Sequence, residues 1–248
     1  MEHRVIIYFS FLIAILLALC SGCSKSSSSG AIFPSNPMVQ EPVSAASGDT
    51  LVRTYLALGD SYTIGEGVTE PERYPAQTAA ILSLQGIKFS PVKYIAQTGW
   101  TTGNLAAAIA SQNLTATFDI VTIMIGVNDQ YQKNDTIGYR QNFTGLLETS
   151  VRLAGNRSSR IIVLSIPDYG VTIFGAGWPN VGIQIDAFNS INKSVTDSYG
   201  IAYLDITEIS RKAAKMPGLI LGGGPHFTGT EYGLWASPLS ILMAKALK

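Results

Sequence analysis

The sequence is poor in cysteine, histidine and charge, and these shortages exclude several classes of protein. Its 248 residues include two cysteines and two histidines, and basic and acidic side chains balance at 17 each. Only 14% of the residues are charged, whereas 46% are apolar. Nucleic-acid binding normally needs a basic surface, and disorder needs low apolarity with high charge. Neither class is therefore predicted.

Residues 1–22 have the pattern of a secretory signal peptide. A short charged start precedes an uncharged apolar run, residues 5–20, which is shorter than the roughly 18–20 residues of a membrane-spanning helix. Small residues at 21–22 then precede Cys23, an arrangement that resembles a bacterial lipoprotein box, in which that cysteine is lipidated. We expect an exported protein that is attached to the membrane of the cell envelope through Cys23. An ordinary signal peptide and an uncleaved anchor are the alternatives.

Composition divides the rest of the chain into a tether and one domain. Residues 23–50 are rich in serine, proline and glycine and lack periodicity, which is typical of a flexible linker. Residues 51–248 are enough for one domain with its own core. After cleavage, that domain keeps one histidine, His226, and no cysteine. A cysteine-based zinc site and a thiol nucleophile are thus excluded.

The domain alternates strand-like and helix-like segments. Five short apolar runs are nearly continuous in aliphatic residues, as in strands covered on both faces; they occupy residues 55–58, 92–96, 120–125, 161–166 and 201–204. Helical spacing lies between them, as in Tyr139, Phe143 and Leu147. This alternation predicts a parallel sheet between two helical layers. A final helix is predicted to begin with a capping box of Thr228 and Glu231.

The residues that follow the strand-like runs are candidates for a site, because ligands of open α/β sheets bind beyond the carboxyl ends of the strands. Ser61 follows the first run, where its hydroxyl can point into the crevice. Gly99 and Asn128 follow the second and third runs and could stabilise an oxyanion. His226 could activate the serine. Each also has an ordinary explanation: a helix cap, a turn glycine, an Asx turn and a structural histidine.

Together, these residues resemble the four motif blocks of the GDSL/SGNH hydrolase family. The matching residues are, in chain order, Gly59-Asp60-Ser61, Gly99, Gly126-x-Asn128-Asp129 and His226. The resemblance runs from about residue 55 to residue 247. It implies a three-layer α/β/α sandwich of flavodoxin-like topology with a five-stranded parallel sheet. It also implies ester hydrolysis without a metal or an organic cofactor.

The resemblance assigns a role to each of these residues. Ser61 would attack the ester carbonyl, and His226 would take its proton and pass it to the leaving alcohol. The N–H groups of Ser61 and Gly99 and the side chain of Asn128 would form the oxyanion hole. We expect a short-chain acyl or acetyl ester, either a small molecule or carried on a carbohydrate. Aromatic residues near the strand ends could line its pocket, namely Tyr62, Trp100, Tyr131, Phe174 and Trp178.

One position departs from the family pattern. The family usually has an aspartate three residues before the catalytic histidine, and this chain has Gly223 there. A backbone carbonyl or a water molecule near the glycine run could orient His226 instead, or Asp205 or Asp168 could substitute. Otherwise the protein would act mainly by binding, as a catalytically weakened member of the fold.

A metal-dependent phosphoesterase is a further alternative. Converging carboxylates can bind Mg²⁺, and four aspartates follow strand-like runs, namely Asp60, Asp129, Asp168 and Asp205. This hypothesis leaves the serine, asparagine and histidine of the motif blocks unexplained. We therefore expect no metal.

Overall fold

A computed structural model describes residues 51–248, and its centre is a parallel β-sheet. The strands of this part of the chain are β1 (Val52–Arg53), β2 (Tyr55–Gly59), β3 (Lys88–Phe89), β4 (Lys93–Ala96), β5 (Ile120–Met124), β6 (Ile161–Leu164) and β7 (Ala202–Leu204). A 5-stranded sheet has the order β4-β2-β5-β6-β7, with all neighbours parallel, and β1 pairs with β3 separately. The predicted signal peptide (1–22) and tether (23–50) lie outside the described residues.

Helices cover both faces of this sheet. They are α1 (Ser61–Ile64), α2 (Tyr74–Leu84), α3 (Thr102–Ser111), α4 (Val127–Lys133), α5 (Thr136–Leu153), α6 (Ile173–Ala176), α7 (Val181–Ser198), α8 (Thr207–Lys212) and α9 (Gly229–Ala246). Helix α2 packs against α9, while α5 packs against α3 and α7. Every residue of β2, β5 and β6 is buried. The predicted α/β/α fold with a five-stranded parallel sheet is thus confirmed.

All five predicted strands are present, with ends that differ slightly from the apolar runs. Residues 125 and 165–166 are apolar or buried but lie just beyond β5 and β6, because the chain there already turns toward the next helix. The pair β1 and β3 was not predicted. Each has only 2 residues, one exposed and one half-buried, and therefore shows neither an apolar run nor a clear alternation.

Helix α9 begins after Thr228 as predicted, but the predicted capping box is wrong. The hydroxyl of Thr228 donates to the carbonyl oxygen of Gly218 at 3.1 Å, and Nε1 of Trp235 donates to the Glu231 carboxylate at 2.8 Å. Both side chains thus have partners that the local sequence pattern does not reveal. Among the helices between residues 51 and 248, none has the length and apolar composition needed to span a bilayer.

Candidate active site

Ser61 is the first residue of α1, immediately after the turn that follows β2. The side chain of Asp60 caps this helix and accepts a hydrogen bond from the Tyr62 N–H at 3.0 Å. Ser61 is only 4% exposed, and within residues 51–248 its hydroxyl has no hydrogen-bond partner. Because Asp60 supplies the cap, the Ser61 hydroxyl is left available to the pocket above the sheet.

The structure brings the four predicted motif residues to one pocket of about 170 Å³. Ser61, Gly99, Asn128 and His226 all line it. They come from α1, from the loop after β4, from α4 and from the loop before α9. A larger groove of about 590 Å³ lies between α2 and the segment that runs from β3 to the start of β4, and none of these four residues lines it.

Two backbone N–H groups at this pocket are unpaired. Gly99 has a φ of +83°, in the left-handed region that favours glycine, and no atom lies within 4 Å of the place where a Cβ would stand. In the described part of the chain, neither its N–H nor that of Ser61 donates a hydrogen bond to another group. Nδ2 of Asn128 donates to the carbonyl oxygen of Trp100 at 3.0 Å. An amide has two N–H donors, so one remains.

Helix α4 holds the loop between β4 and α3 in place. Nε2 of Gln132 donates to the carbonyl oxygen of Gly99 at 3.0 Å. The Asp129 carboxylate accepts from both the N–H and the hydroxyl of Thr102, at 2.9 and 2.5 Å. Burial raises the pKa of Asp129. The hydrogen bonds of Gln132 and Thr102 could not be predicted from the sequence, because they join distant segments of the chain.

His226 is half-buried in a loop that is closed by the bridge between Ile220 and Phe227. The ring of Tyr62 meets its imidazole edge-on, with 5.4 Å between ring centroids. Burial lowers the pKa of His226, and the negative charge of Glu66 opposes this lowering. A neutral imidazole, the form that a base requires, is thus favoured. Within residues 51–248, no hydrogen bond joins the ring to Ser61.

Neither carboxylate suggested as an orienting group hydrogen-bonds to His226 in the described structure. The buried Asp168 accepts from Nε of Arg211 at 2.9 Å. Asp205 accepts from the hydroxyl of Ser165 at 3.0 Å. Both side chains organise the loops beyond β6 and β7. Each of these carboxylates thus has another hydrogen-bond partner, and the suggestion that one of them orients His226 stays a prediction.

The four aspartates considered for a metal do not form a shared site. Across residues 51–248, no three acidic, histidine or cysteine side chains are grouped so that they could hold a metal ion. Each aspartate instead has its own partner, namely Tyr62 for Asp60, Thr102 for Asp129, Arg211 for Asp168 and Ser165 for Asp205. The donor set that the phosphoesterase alternative requires is thus not assembled.

Aromatic side chains form one wall of the pocket. The ring of Tyr131 contacts three others, with centroid distances of 6.5 Å to Tyr169, 5.9 Å to Phe174 and 5.5 Å to Trp178. We call these four residues the aromatic platform. Tyr131, Tyr169 and Phe174 line the pocket, as does Tyr62, whereas Trp178 extends the platform outward and is 51% exposed. Trp100 is not among the lining residues and packs against the core.

The comparisons with known proteins agree with this fold and this arrangement of motifs. The model of the GDSL-like lipase/acylhydrolase family matches residues 57–233, and the chain belongs to this family. It is thus an ester hydrolase of the GDSL type, as the sequence motifs predicted. None of the curated proteins matches the chain significantly.

Several solved structures share the fold. The lipase/acylhydrolase from Enterococcus faecalis has 20% identity and a TM-score of 0.63, over 79% of this chain and 98% of that chain. The esterase EstA from Pseudoalteromonas sp. has 16% identity and a TM-score of 0.60, over 78% and 97%. The acetylxylan esterase Axe2 from Geobacillus stearothermophilus has 18% identity and a TM-score of 0.61, over 77% and 94%. At these identities, the similarity establishes the fold.

Proposed function

We propose that this protein is a serine esterase that removes a short acyl group through Ser61 and His226. One observation carries the proposal: Ser61, His226 and Gly99 line the same small pocket, and the backbone N–H groups of Ser61 and Gly99 have no partner within residues 51–248. A serine hydroxyl needs a neighbouring base to act as a nucleophile, and the developing oxyanion needs fixed donors. All of these groups are available at one place.

The proposed reaction proceeds through an acyl-enzyme. Ser61 Oγ attacks the ester carbonyl while His226 accepts its proton, and the protonated His226 then gives that proton to the departing alcohol. The N–H groups of Ser61 and Gly99 and the free amide N–H of Asn128 receive the oxyanion. Water repeats the sequence to release the acid. The hydrogen bond between Ser61 and His226 would form with substrate bound, since catalytic hydrogen bonds often tighten only then.

The pocket size favours a short acyl group. A volume of about 170 Å³ is well below the roughly 300–1,000 Å³ of sites that hold drug-sized ligands. An acetyl or similarly short group fits such a space, and the alcohol part would then lie outward against the aromatic platform. A carbohydrate-borne ester is consistent with this arrangement, and one protein of the same fold is described as an acetylxylan esterase.

Substitution of the nucleophile tests the proposal. We expect Ser61→Ala to lower the hydrolysis of p-nitrophenyl acetate by about 10⁴-fold or more, because the nucleophile is lost. Ser83→Ala is the matched control, since Ser83 is exposed on α2 and outside the Ser61 pocket. Activity that survives in Ser61→Ala would rule out the serine mechanism.

A catalytically weakened binding protein is the second candidate. It is favoured by Gly223, which stands where the family usually has an aspartate, and by the absence of a hydrogen bond from Asp168 or Asp205 to His226 in residues 51–248. The test compares turnover by the wild type and by Gly223→Asp. This candidate would be supported over the esterase by two results together: the wild type shows no turnover that depends on Ser61, and Gly223→Asp shows a large increase in turnover.

We further propose, on the sequence alone, that the chain is exported and anchored through lipid on Cys23. These residues lie outside the described structure. Mass spectrometry of the N-terminal peptide from membrane fractions should show a diacylglyceryl-modified Cys23 after removal of residues 1–22. Cys23→Ser should abolish that modification, and an unmodified cysteine in the wild type would contradict the proposal.

A further inference from the structure

Glu66 is a carboxylate at the edge of the pocket for which the proposed reaction so far has no role. It follows α1 and is exposed. Its carboxylate accepts a hydrogen bond from the hydroxyl of Thr98, in the loop that carries Gly99. Thr98 and His226 line the same pocket. The Glu66 side chain is therefore held beside the pocket that contains the proposed base.

The next residue packs against the histidine loop. A Cβ at Gly67 would lie 2.7 Å from Cδ1 of Leu221. The N–H of Leu221 in turn donates to the carbonyl oxygen of His226 at 3.0 Å. The segment that carries Glu66 thus contacts the loop of His226 on one side and the loop of Thr98 on the other.

The charge of Glu66 bears on the pKa of the imidazole. Its negative charge raises the pKa of His226 against the lowering effect of burial. The ring of another titratable group, Tyr62, meets the imidazole, and Asp60 lies two residues before Tyr62 at the start of α1. Asp168 is paired with Arg211.

We propose that Glu66 is a positioning residue that replaces the carboxylate missing at position 223, a role that rests on the proposed function of Ser61 and His226. When the proton moves from Ser61 Oγ to His226, a positive imidazolium forms. The Glu66 carboxylate, held by Thr98, stabilises that charge across the edge of the pocket until the proton passes to the leaving alcohol.

The test compares Glu66→Gln with the wild-type full-length chain. Glutamine can still accept the Thr98 hydrogen bond and removes only the charge. We expect kcat for p-nitrophenyl acetate to fall about tenfold for each pKa unit of imidazolium stabilisation that is lost, with KM little changed. Since a lost negative charge lowers the pKa of His226, the acidic limb of the kcat/KM profile should move to lower pH.

A matched control separates this effect from the loss of a surface contact. Glu72 accepts a hydrogen bond from the Thr69 hydroxyl at 2.7 Å, in the same Glu–Thr arrangement but not among the residues that line the pocket. Glu72→Gln should leave kcat and the pH profile unchanged. If the two variants have equal effects, the proposal is overturned.

The pKa of His226 can be measured by NMR without any substrate. The chain has only His3 and His226, so the imidazole signal that is lost in His226→Gln identifies the second. The pKa of His226 should fall in Glu66→Gln, and an unchanged pKa overturns the proposal whatever the activity. A fall in the pKa with unchanged kcat also overturns it. By contrast, turnover that survives in Ser61→Ala contradicts the proposed function. The NMR measurement does not depend on turnover and still shows whether Glu66 affects the pKa of His226.

Rescue at position 223 completes the test. Gly223 has a φ of +85°, and no atom lies within 4 Å of the place where a Cβ would stand. Asparagine and aspartate are the residues other than glycine that best tolerate such a backbone conformation. In the Glu66→Gln background, Gly223→Asp should restore most of the lost kcat. Gly223→Asn carries the same backbone strain without the charge and should not restore it. Equal rescue by both variants, or rescue by neither, contradicts the proposal.

Discussion

At the scale of single residues, the pocket depends on polar side chains that are each held by one partner. Asp60 accepts from the Tyr62 N–H, and Asn128 donates to the Trp100 carbonyl. These contacts fix both side chains but use only part of their hydrogen-bonding capacity. The proposed reaction uses the second amide N–H of Asn128 and the hydroxyl of Ser61.

The first prediction concerns Asn128. Asn128→Ala should lower kcat about 10²–10³-fold with a smaller effect on KM, because an oxyanion donor acts mainly in the transition state. Gln132→Ala is the control, since it removes a hydrogen bond from the same helix to the Gly99 carbonyl oxygen. Steady-state kinetics with p-nitrophenyl acetate check both variants. An equal loss in the two would mean that Asn128 only holds the loop.

The second prediction concerns the pH dependence of stability. Burial raises the pKa of Asp60 to about 8, and the nearby Asp129 charge adds to the effect. Because this folded-state pKa lies above the unfolded value of about 3.9, Asp60 contributes stability that is complete below pH about 4 and declines as the pH rises toward 8. Asparagine can still cap α1 and cannot ionise. The Tm of Asp60→Asn, measured relative to the Tm of the wild type, should therefore increase as the pH rises.

Thermal unfolding at pH 5 and pH 8.5 checks this prediction. Asp135→Asn is the control, because Asp135 caps α5 in the same way but is exposed. The difference in Tm between Asp60→Asn and the wild type should be larger at the higher pH, while that of Asp135→Asn should stay nearly constant. A pH-independent difference for Asp60→Asn would refute the assignment.

At the scale of elements, the turn from β2 to α1 requires a very close approach. A Cβ at Gly59 would collide with Oγ1 of Thr63 and with the carbonyl oxygen of Met124. Met124 belongs to β5, the neighbouring strand of β2, so this oxygen is fixed by the sheet. The glycine thus allows Ser61 to follow the strand end with only one residue between them.

The third prediction follows from this contact. Gly59→Ala should lower the free energy of unfolding by about 1–3 kcal/mol, as overpacking against fixed atoms does. Gly145→Ala is the control, since Gly145 is exposed in α5 with no atom within 4 Å of a built Cβ. The free energy of unfolding of Gly145→Ala should instead increase by about 0.5–1 kcal/mol, because alanine has the higher helix propensity. Urea denaturation measures both, and an undiminished stability of Gly59→Ala would contradict the prediction.

At the scale of the whole molecule, the carboxyl edge of the sheet gathers segments that are far apart in the chain. The aromatic platform adds a partly exposed surface to the pocket, with Tyr131 at 45% and Trp178 at 51% exposure. The platform thus extends from the Ser61 pocket to solvent. A substrate larger than the pocket would contact this surface with its alcohol part.

The fourth prediction tests the outer end of the platform. Trp178→Ala should raise KM for 2-naphthyl acetate, whose alcohol part is bulky, about 2- to 10-fold, the equivalent of one aromatic contact of roughly 0.5–1.5 kcal/mol. It should leave the hydrolysis of ethyl acetate unchanged. Ile173→Ala is the control, because Ile173 is 83% exposed on α6 and is not part of the platform. A KM that rises equally for both esters would show that Trp178 supports the pocket itself.

Much of this molecule could be predicted from its sequence, because the signals are local. Continuous apolar runs mark strands buried on both faces, and short motifs at the strand ends mark the segments that meet at the carboxyl edge. The five strands, the α/β/α fold and the family follow from such signals. The roles assigned to Ser61 and His226 stay predictions.

Three-dimensional packing was needed for the partners of individual polar groups, since these come from segments with no fixed spacing in the chain. Asp168 is a candidate orienting group from its position in the sequence, and only the structure shows that it pairs with Arg211, 43 residues away. The hydrogen bond between Thr98 and Glu66 likewise joins residues that are 32 positions apart in the chain, and it places Glu66 beside the pocket. The shortage of histidine noted in the sequence makes this arrangement important, because His226 is the only histidine of residues 51–248. Its electrostatic surroundings depend on which charges the fold brings near it.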